Sequence, residues 1–349
     1  MQKKLLTIAV AGALAAPVAA FAQVTVFGTI DGGIRSQSKA QTATGDESNL
    51  VVTEGLRTTN RWGVRGSEDL GGGMMANFWL EGSMASDTGN GFTDSGGRTG
   101  FNRKSIVGLS KGGMSVDIGR DYTVNFKSQG IYDPMSYTYT GIAPTAGTNT
   151  QGVRFSNLVT AGFRFGTGGI RVDYTTAGGA ATGDGAPGDD SGDGFGINGD
   201  FKFGPVTVTA AFSSVDVNNA GQSSDVTNFG GAYTMGAFTI RAGWSNTDNE
   251  ATNTETPMMV LGLQYAISPT LNGRLGYYNV KTEVNGVETQ KRTQFLAALD
   301  YYLSKRTTLY VLLDRLSLDQ PGTVTLGGAQ SGPLLDGATG ISVGVAHAF

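Results

Sequence analysis

The sequence predicts an all-β fold, a sixteen-stranded antiparallel β-barrel that crosses a membrane. Three observations carry this. The chain has 55 glycines in 349 residues, 12 Tyr and 17 Phe, yet only 15% of it is charged. Soluble domains carry about 25% charged residues, and disordered chains lack aromatics. Second, segments of roughly ten residues alternate apolar and polar, the period of a strand with two unlike faces. Third, the connections alternate short and long, as turns at one rim and loops at the other would.

The N-terminus reads separately. Lys3 and Lys4 precede a short apolar run from Leu5 to Ala16, followed by Pro17 and Ala20-Phe21-Ala22. This is the pattern of a secretory leader over 1–22 with an A-x-A cleavage site. A single barrel domain is then expected over 23–349. Cleavage removes two lysines and no acid, so 23 basic and 29 acidic residues remain, a net charge of −6. No later stretch approaches the ~20 apolar residues of a membrane helix.

The first strand is expected over 24–36, where Val24, Val26 and Ile30 share one face and Thr25, Thr29 and Asp31 the other. The same alternation predicts strands over 56–67, 74–85, 102–111, 114–122, 152–165, 169–176 and 196–203. It continues over 206–214, 227–235, 238–246, 258–267, 271–281, 292–303, 307–318 and 340–349. Tight turns fall at Gly112-Gly113, Gly204-Pro205 and Gly236-Ala237. Long loops are expected over 37–55, 86–101, 123–151, 177–195 and 319–339. A secreted β-sandwich or β-helix would show the same period. The high, even strand count favours the membrane, as do aromatics near strand ends (Trp244, Tyr265, Tyr277, Tyr301, Tyr302, Phe349).

Several chemistries are excluded. There is no cysteine, and the only histidine is His347, so thiolate sites, multi-histidine metal sites and histidine-based triads have no residues to use. Gly71-Gly72-Gly73 lacks the helix and GK[ST] element of a phosphate loop. Asp184, Asp189, Asp190 and Asp193 match no calcium-loop spacing and read as a solvated loop. No cofactor, metal or nucleic-acid partner is expected.

Function must then come from charge on the inner wall. With Trp62 and Val64 facing lipid, Arg57, Arg61 and Arg65 face the lumen. With Val153 and Val159 outward, Arg154 and Arg164 point in, and Arg171, Arg241 and Arg274 follow by their own strands. In 102–111 the alternation puts Lys104 inward and Arg103 outward, unless a bulge shifts the register. Inward acids by the same rule are Asp31, Glu81, Asp117, Asp173, Asp200 and Asp300. For Arg171 an ion pair with Asp200 is the competing, purely structural role.

Stretches scattered in order over the chain resemble the general porins of Gram-negative bacteria, most closely the β-proteobacterial branch. They are Val24–Asp31, Asn60–Gly73 (NRWGVRGSEDLGGG), Phe78–Gly82, Asn102–Ser110, Ile118–Asp121, Leu303–Tyr310 (LSKRTTLY) and Val343–Phe349. The terminal Phe349 resembles the signature read by the barrel-assembly machinery of the outer membrane. The resemblance implies a homotrimer in outer-membrane lipid, with a third long loop, here about 122–151, folded into the lumen as a constriction. It also implies a basic wall cluster at Arg61, Arg103 or Lys104, and Arg154, facing loop acids, for which Asp121 and Asp133 are available. The expected function is passive diffusion of small hydrophilic solutes and ions. Despite the net −6, anions are expected to be preferred, because many acids sit in loops where salt screens them. An outer-membrane hydrolase and an adhesin or structural barrel are the alternatives.

Overall fold

The computed structural model describes residues 23–42, 45–89, 100–139, 142–144, 152–176, 191–320 and 334–349. The leader expected over 1–22 lies outside these, as do Asp184, Asp189 and Asp190 and parts of the long loops. The described residues form eighteen strands and one helix. The strands are β1 (Gln23–Thr42), β2 (Gly45–Glu54), β3 (Arg61–Gly71), β4 (Met74–Ser83), β5 (Lys104–Lys111) and β6 (Met114–Tyr122). Helix α1 (Val124–Tyr132) comes next. It is followed by β7 (Arg154–Phe165), β8 (Gly168–Thr175), β9 (Gly194–Phe203), β10 (Val206–Asp216), β11 (Ser223–Met235) and β12 (Phe238–Asn249). The chain ends in β13 (Thr254–Glu255), β14 (Met258–Ser268), β15 (Leu271–Val284), β16 (Val287–Tyr302), β17 (Thr307–Leu318) and β18 (Thr339–Ala348).

All neighbours are antiparallel, and β1 pairs with β18 to close the sheet. The upper half of β1 pairs with β2 and its lower half with β3, so β2 and β3 are one wall strand interrupted at 55–60. The two-residue β13 likewise extends β14 between β12 and β15. Counted this way, the wall has sixteen strands.

Two boundaries differ from expectation. Residues 37–55 are not an open loop: β1 and β2 continue as a hairpin paired from Gly32↔Glu54 to Thr42↔Gly45, with a bulge between Gln37 and Ala40. Outward apolar residues continue on β2 at Val52 and Leu50, while β1 turns polar beyond Ile34, with Ser36 facing Leu50. The second strand does not start at residue 56. Asp31 accepts hydrogen bonds from the backbone amides of Arg57 (2.7 Å) and Thr58 (2.8 Å), holding 55–60 out of the ladder.

The barrel is inside out relative to a soluble protein. Val24, Val26, Val107, Ile118, Leu261, Leu313 and Val343 stand exposed on the outer face, while Asp31, Thr160, Asn198, Ser213, Asn228 and Asp300 are buried on the inner one. Aromatics form outer bands. Phe238 stacks on Tyr265 (4.4 Å) towards the short-turn rim, and Tyr277 meets Phe295 (5.0 Å) nearer the other. Such rings sit at the headgroup level of a bilayer.

After β6 the chain enters the barrel. Thr123 caps α1, its hydroxyl accepting from the Phe126 amide (3.2 Å). The helix lies on the inner face of β9 to β12: Ser128 donates to Asn228 (2.7 Å), and Asn228 donates to Asn125 (2.6 Å). An oblique path of glycines makes room. A Cβ on Gly196 would lie 2.6 Å from Val124, on Gly243 2.1 Å from the Tyr132 ring, and on Gly262 2.5 Å from Pro134. Beyond the helix, Met135, Tyr139 and Ile142 join Leu296, Leu312 and Leu316 in a small apolar core inside the barrel.

Candidate functional site

The charged groups of the inner wall cluster around a few carboxylates. Glu81 on β4 takes Arg103 at 2.7 Å and Arg61 at 3.9 Å. Asp121 takes Lys104 and Lys127, each at 3.1 Å. Across the lumen, Asp300 takes Arg57 at 2.8 Å and Arg274 at 3.2 Å, and accepts a hydrogen bond from Tyr139 (2.8 Å). Burial, with Asp300 alongside, pushes the Tyr139 phenol above its ordinary value, so the hydroxyl remains a donor. Asp200 takes Arg164 and Arg171, each at 2.9 Å.

Each of these four carboxylates is therefore shared by two cations. Among the described residues no carboxylate ion-pairs with Arg65, Arg154, Arg241 or Arg292. Arg154 lies over the Tyr122 ring (4.1 Å to its centre) and donates to its hydroxyl, which also accepts from Arg103 (2.9 Å). Two guanidinium groups thus converge on one neutral oxygen. Asp31, Asp117, Asp133 and Asp173 also lie inside the barrel, so the twelve cations named here stand against eight carboxylates; fixed positive charge remains, and low-dielectric walls focus its field across the lumen.

The strand alternation places Arg61 and Arg65 inward: they pair with Ser83 and Trp79 of β4, flanking the Gly63↔Glu81 pair. Lys104 points inward from the start of β5. Arg103 does so too, against strict alternation, because it precedes the strand; its amide donates to the Glu81 carbonyl (3.0 Å). Arg57 reaches Asp300 from the irregular segment 55–60. Arg171 takes the Asp200 pairing weighed from the sequence.

The two acids expected on the loop divide: Asp121 is on the wall, and Asp133 is on the inserted segment. Asp121 belongs to β6, beside Lys104, because the strand runs on past a bulge at Gly119. Asp133 is the C-cap of α1, and its carboxylate turns back to the Tyr137 amide (2.8 Å) and the Tyr278 hydroxyl (3.2 Å). Sequence reasoning missed Lys127, although it is the one basic residue between 122 and 151. Alternation says nothing about helical residues. Phe349 ends the closing strand, exchanging backbone hydrogen bonds with Gly28 (3.0 and 3.2 Å).

Comparison with known proteins follows the same line. The sequence profile of the family described as Gram-negative porin matches residues 7–320. Outer membrane porin protein 32 of Delftia acidovorans is 30% identical over the full length of both chains. Major outer membrane protein P.IB of Neisseria meningitidis is 34% identical over 38% of each chain. Among solved structures, an anion-selective porin from Comamonas acidovorans superposes with a TM-score of 0.78 at 26% identity, over 94% of this chain and all of that one. A closed barrel with a polar interior, a profile spanning most of the sequence and a full-length relative lead to one conclusion: the chain belongs to the Gram-negative porin family of the outer membrane.

Proposed function

We propose that this porin is a passive, water-filled channel for small hydrophilic solutes that prefers anions, with the segment from Thr123 to Tyr139 forming its constriction. The observation that carries the reading is the surplus of cations inside the barrel: four carboxylates shared two to one, with Arg65, Arg154, Arg241 and Arg292 beyond them against Asp31, Asp117, Asp133 and Asp173. A lumen lined by fixed positive charge raises the local concentration of anions. The acids at Glu250, Glu255 and Glu288, near the long-loop end of the strands, lie where bulk salt screens them within about 10 Å. Arg61, Arg103, Lys104 and Arg154, with Lys127 from α1, form the selective wall. The working form is a homotrimer embedded in outer-membrane lipid, delivered after cleavage of the 1–22 leader.

Reconstitution into a planar bilayer tests this. Stepwise conductance is expected, with a reversal potential of anion-selective sign in a potassium chloride gradient. The Arg61→Ser, Arg154→Ser double variant moves that potential towards zero. A cation-selective wild type, or an unmoved potential in the double variant, overturns the reading.

A further inference from the structure

One stretch of the inner wall is aromatic. Phe27 of β1 and Trp79 of β4 meet edge to face, ring centres 5.1 Å apart. The Arg65 guanidinium lies over both, 4.9 Å from the indole centre and 5.1 Å from the phenyl centre. The Lys104 ammonium lies 5.1 Å from the same indole. The register builds this cluster. Arg65 pairs with Trp79 on one side and Thr25 on the other, and Phe27 pairs with Gly63. A Cβ on Gly63 would come within 2.8 Å of the Phe27 ring, so glycine there lets the phenyl group lie across the neighbouring strand.

Inorganic ions gain nothing from indole and phenyl surface in a water-filled lumen. The cations on that surface give it a use. A guanidinium held over a ring keeps its N–H edge free for a carboxylate, and Arg65 ion-pairs with no carboxylate among the described residues. Within about 5 Å the wall thus offers a donor edge and an aromatic face. A solute with a carboxylate on a flat apolar body matches both, whereas chloride or acetate engages the charge alone.

We propose that Arg65, Trp79, Phe27 and Lys104 form a subsite on the channel wall for aromatic carboxylates. The inference rests on the anion-channel reading above and names a solute class that the wall retains.

The test compares block of chloride current by benzoate and by acetate added to the full-length protein in planar bilayers. Benzoate is expected to half-block at a concentration about tenfold lower than acetate, the scale of one aromatic pair. Trp79→Gln brings the ratio close to one. Trp79→Phe, which keeps a ring, retains most of it, and Arg65→Gln weakens both blockers. A wild-type ratio of one overturns the subsite whatever the variants do, and so does an unchanged ratio in Trp79→Gln. The potassium chloride reversal potential, read on the same membranes, separates the two readings. A cation-selective wild type overturns both, whereas an anion-selective wild type with equal block overturns only the subsite.

Discussion

The Arg35 guanidinium and the Asp314 carboxylate clasp the seam at which the barrel closes. They stand on β1 and β17 and meet across β18, Nη1 to Oδ2 at 2.6 Å and Nη2 to Oδ1 at 3.0 Å. Ser342 of β18 accepts from the same guanidinium (3.1 Å), and Gly340 leaves it room, since a Cβ there would lie 2.2 Å away. Both charged side chains are buried. Removing one partner strands the other without water or counter-charge, which costs about 3–5 kcal/mol. Asp314→Ala should therefore lower the thermal unfolding temperature of the detergent-folded barrel markedly. The Arg35→Met, Asp314→Leu pair, which removes both charges and keeps volume, should lower it less. Equal losses in the two variants would show that packing, not charge, holds the seam.

The Tyr132 ring lies against the backbone of β11 and β12, where Gly230 and Gly243 leave no Cβ in its way. Gly243→Val overfills that contact, at a cost of about 1–3 kcal/mol. Because the strand stays paired with both neighbours, the helix is the part that yields. Larger and noisier single-channel conductance is the expected outcome. Unchanged conductance from a folded Gly243→Val barrel would mean that α1 does not limit the pore.

Asp121 is the carboxylate that holds two cations of the proposed selective wall, Lys104 and Lys127. Asp121→Asn removes the negative charge and leaves both ammonium groups facing the lumen. The reversal potential in a potassium chloride gradient should move further in the anion-selective direction, opposite to the shift from Arg154→Ser. An unmoved potential would place Asp121 outside the field that solutes cross.

Much of this was legible in the sequence, for one physical reason. In a strand the side-chain direction is fixed by parity, so Val107 and Leu109 outward dictated Lys104 inward, and Trp62 and Val64 fixed Arg61 and Arg65. Parity fails where a strand stops. Arg103 lies one residue before β5 and turns inward where alternation pointed it outward, whereas Arg57 faces the lumen as alternation has it, but from the break that Asp31 holds open and not from a strand. The site within the lumen was less legible because it depends on contacts between distant segments. Tyr139 meets Asp300, and Val124 donates to Asp173 (2.7 Å). The signal that existed was glycine at Gly196, Gly230, Gly243 and Gly262 on inward positions of β9, β11, β12 and β14, a track for the chain that lies on it.

The C-terminal residue separates two roles that a barrel end can have. Phe349 pairs with Gly28 through two backbone hydrogen bonds, and its ring lies where a Cβ on Gly28 would be, 2.3 Å from the ring tip. Gly28→Val therefore evicts the ring and also disturbs the pairing of β1 with the chain end. It should reduce folded barrel both in cells and on refolding in detergent, seen as loss of the heat-modifiable band on gels. Phe349→Ala keeps the backbone pairing and opens only an exposed outer position. Its refolding in detergent should be close to wild type, while the amount assembled in the outer membrane falls. That split is expected only if the terminal ring is read by the assembly machinery before the strand is seated. If Phe349→Ala refolds as poorly in detergent as it assembles in cells, the ring acts as a structural plug over Gly28 and not as a signal.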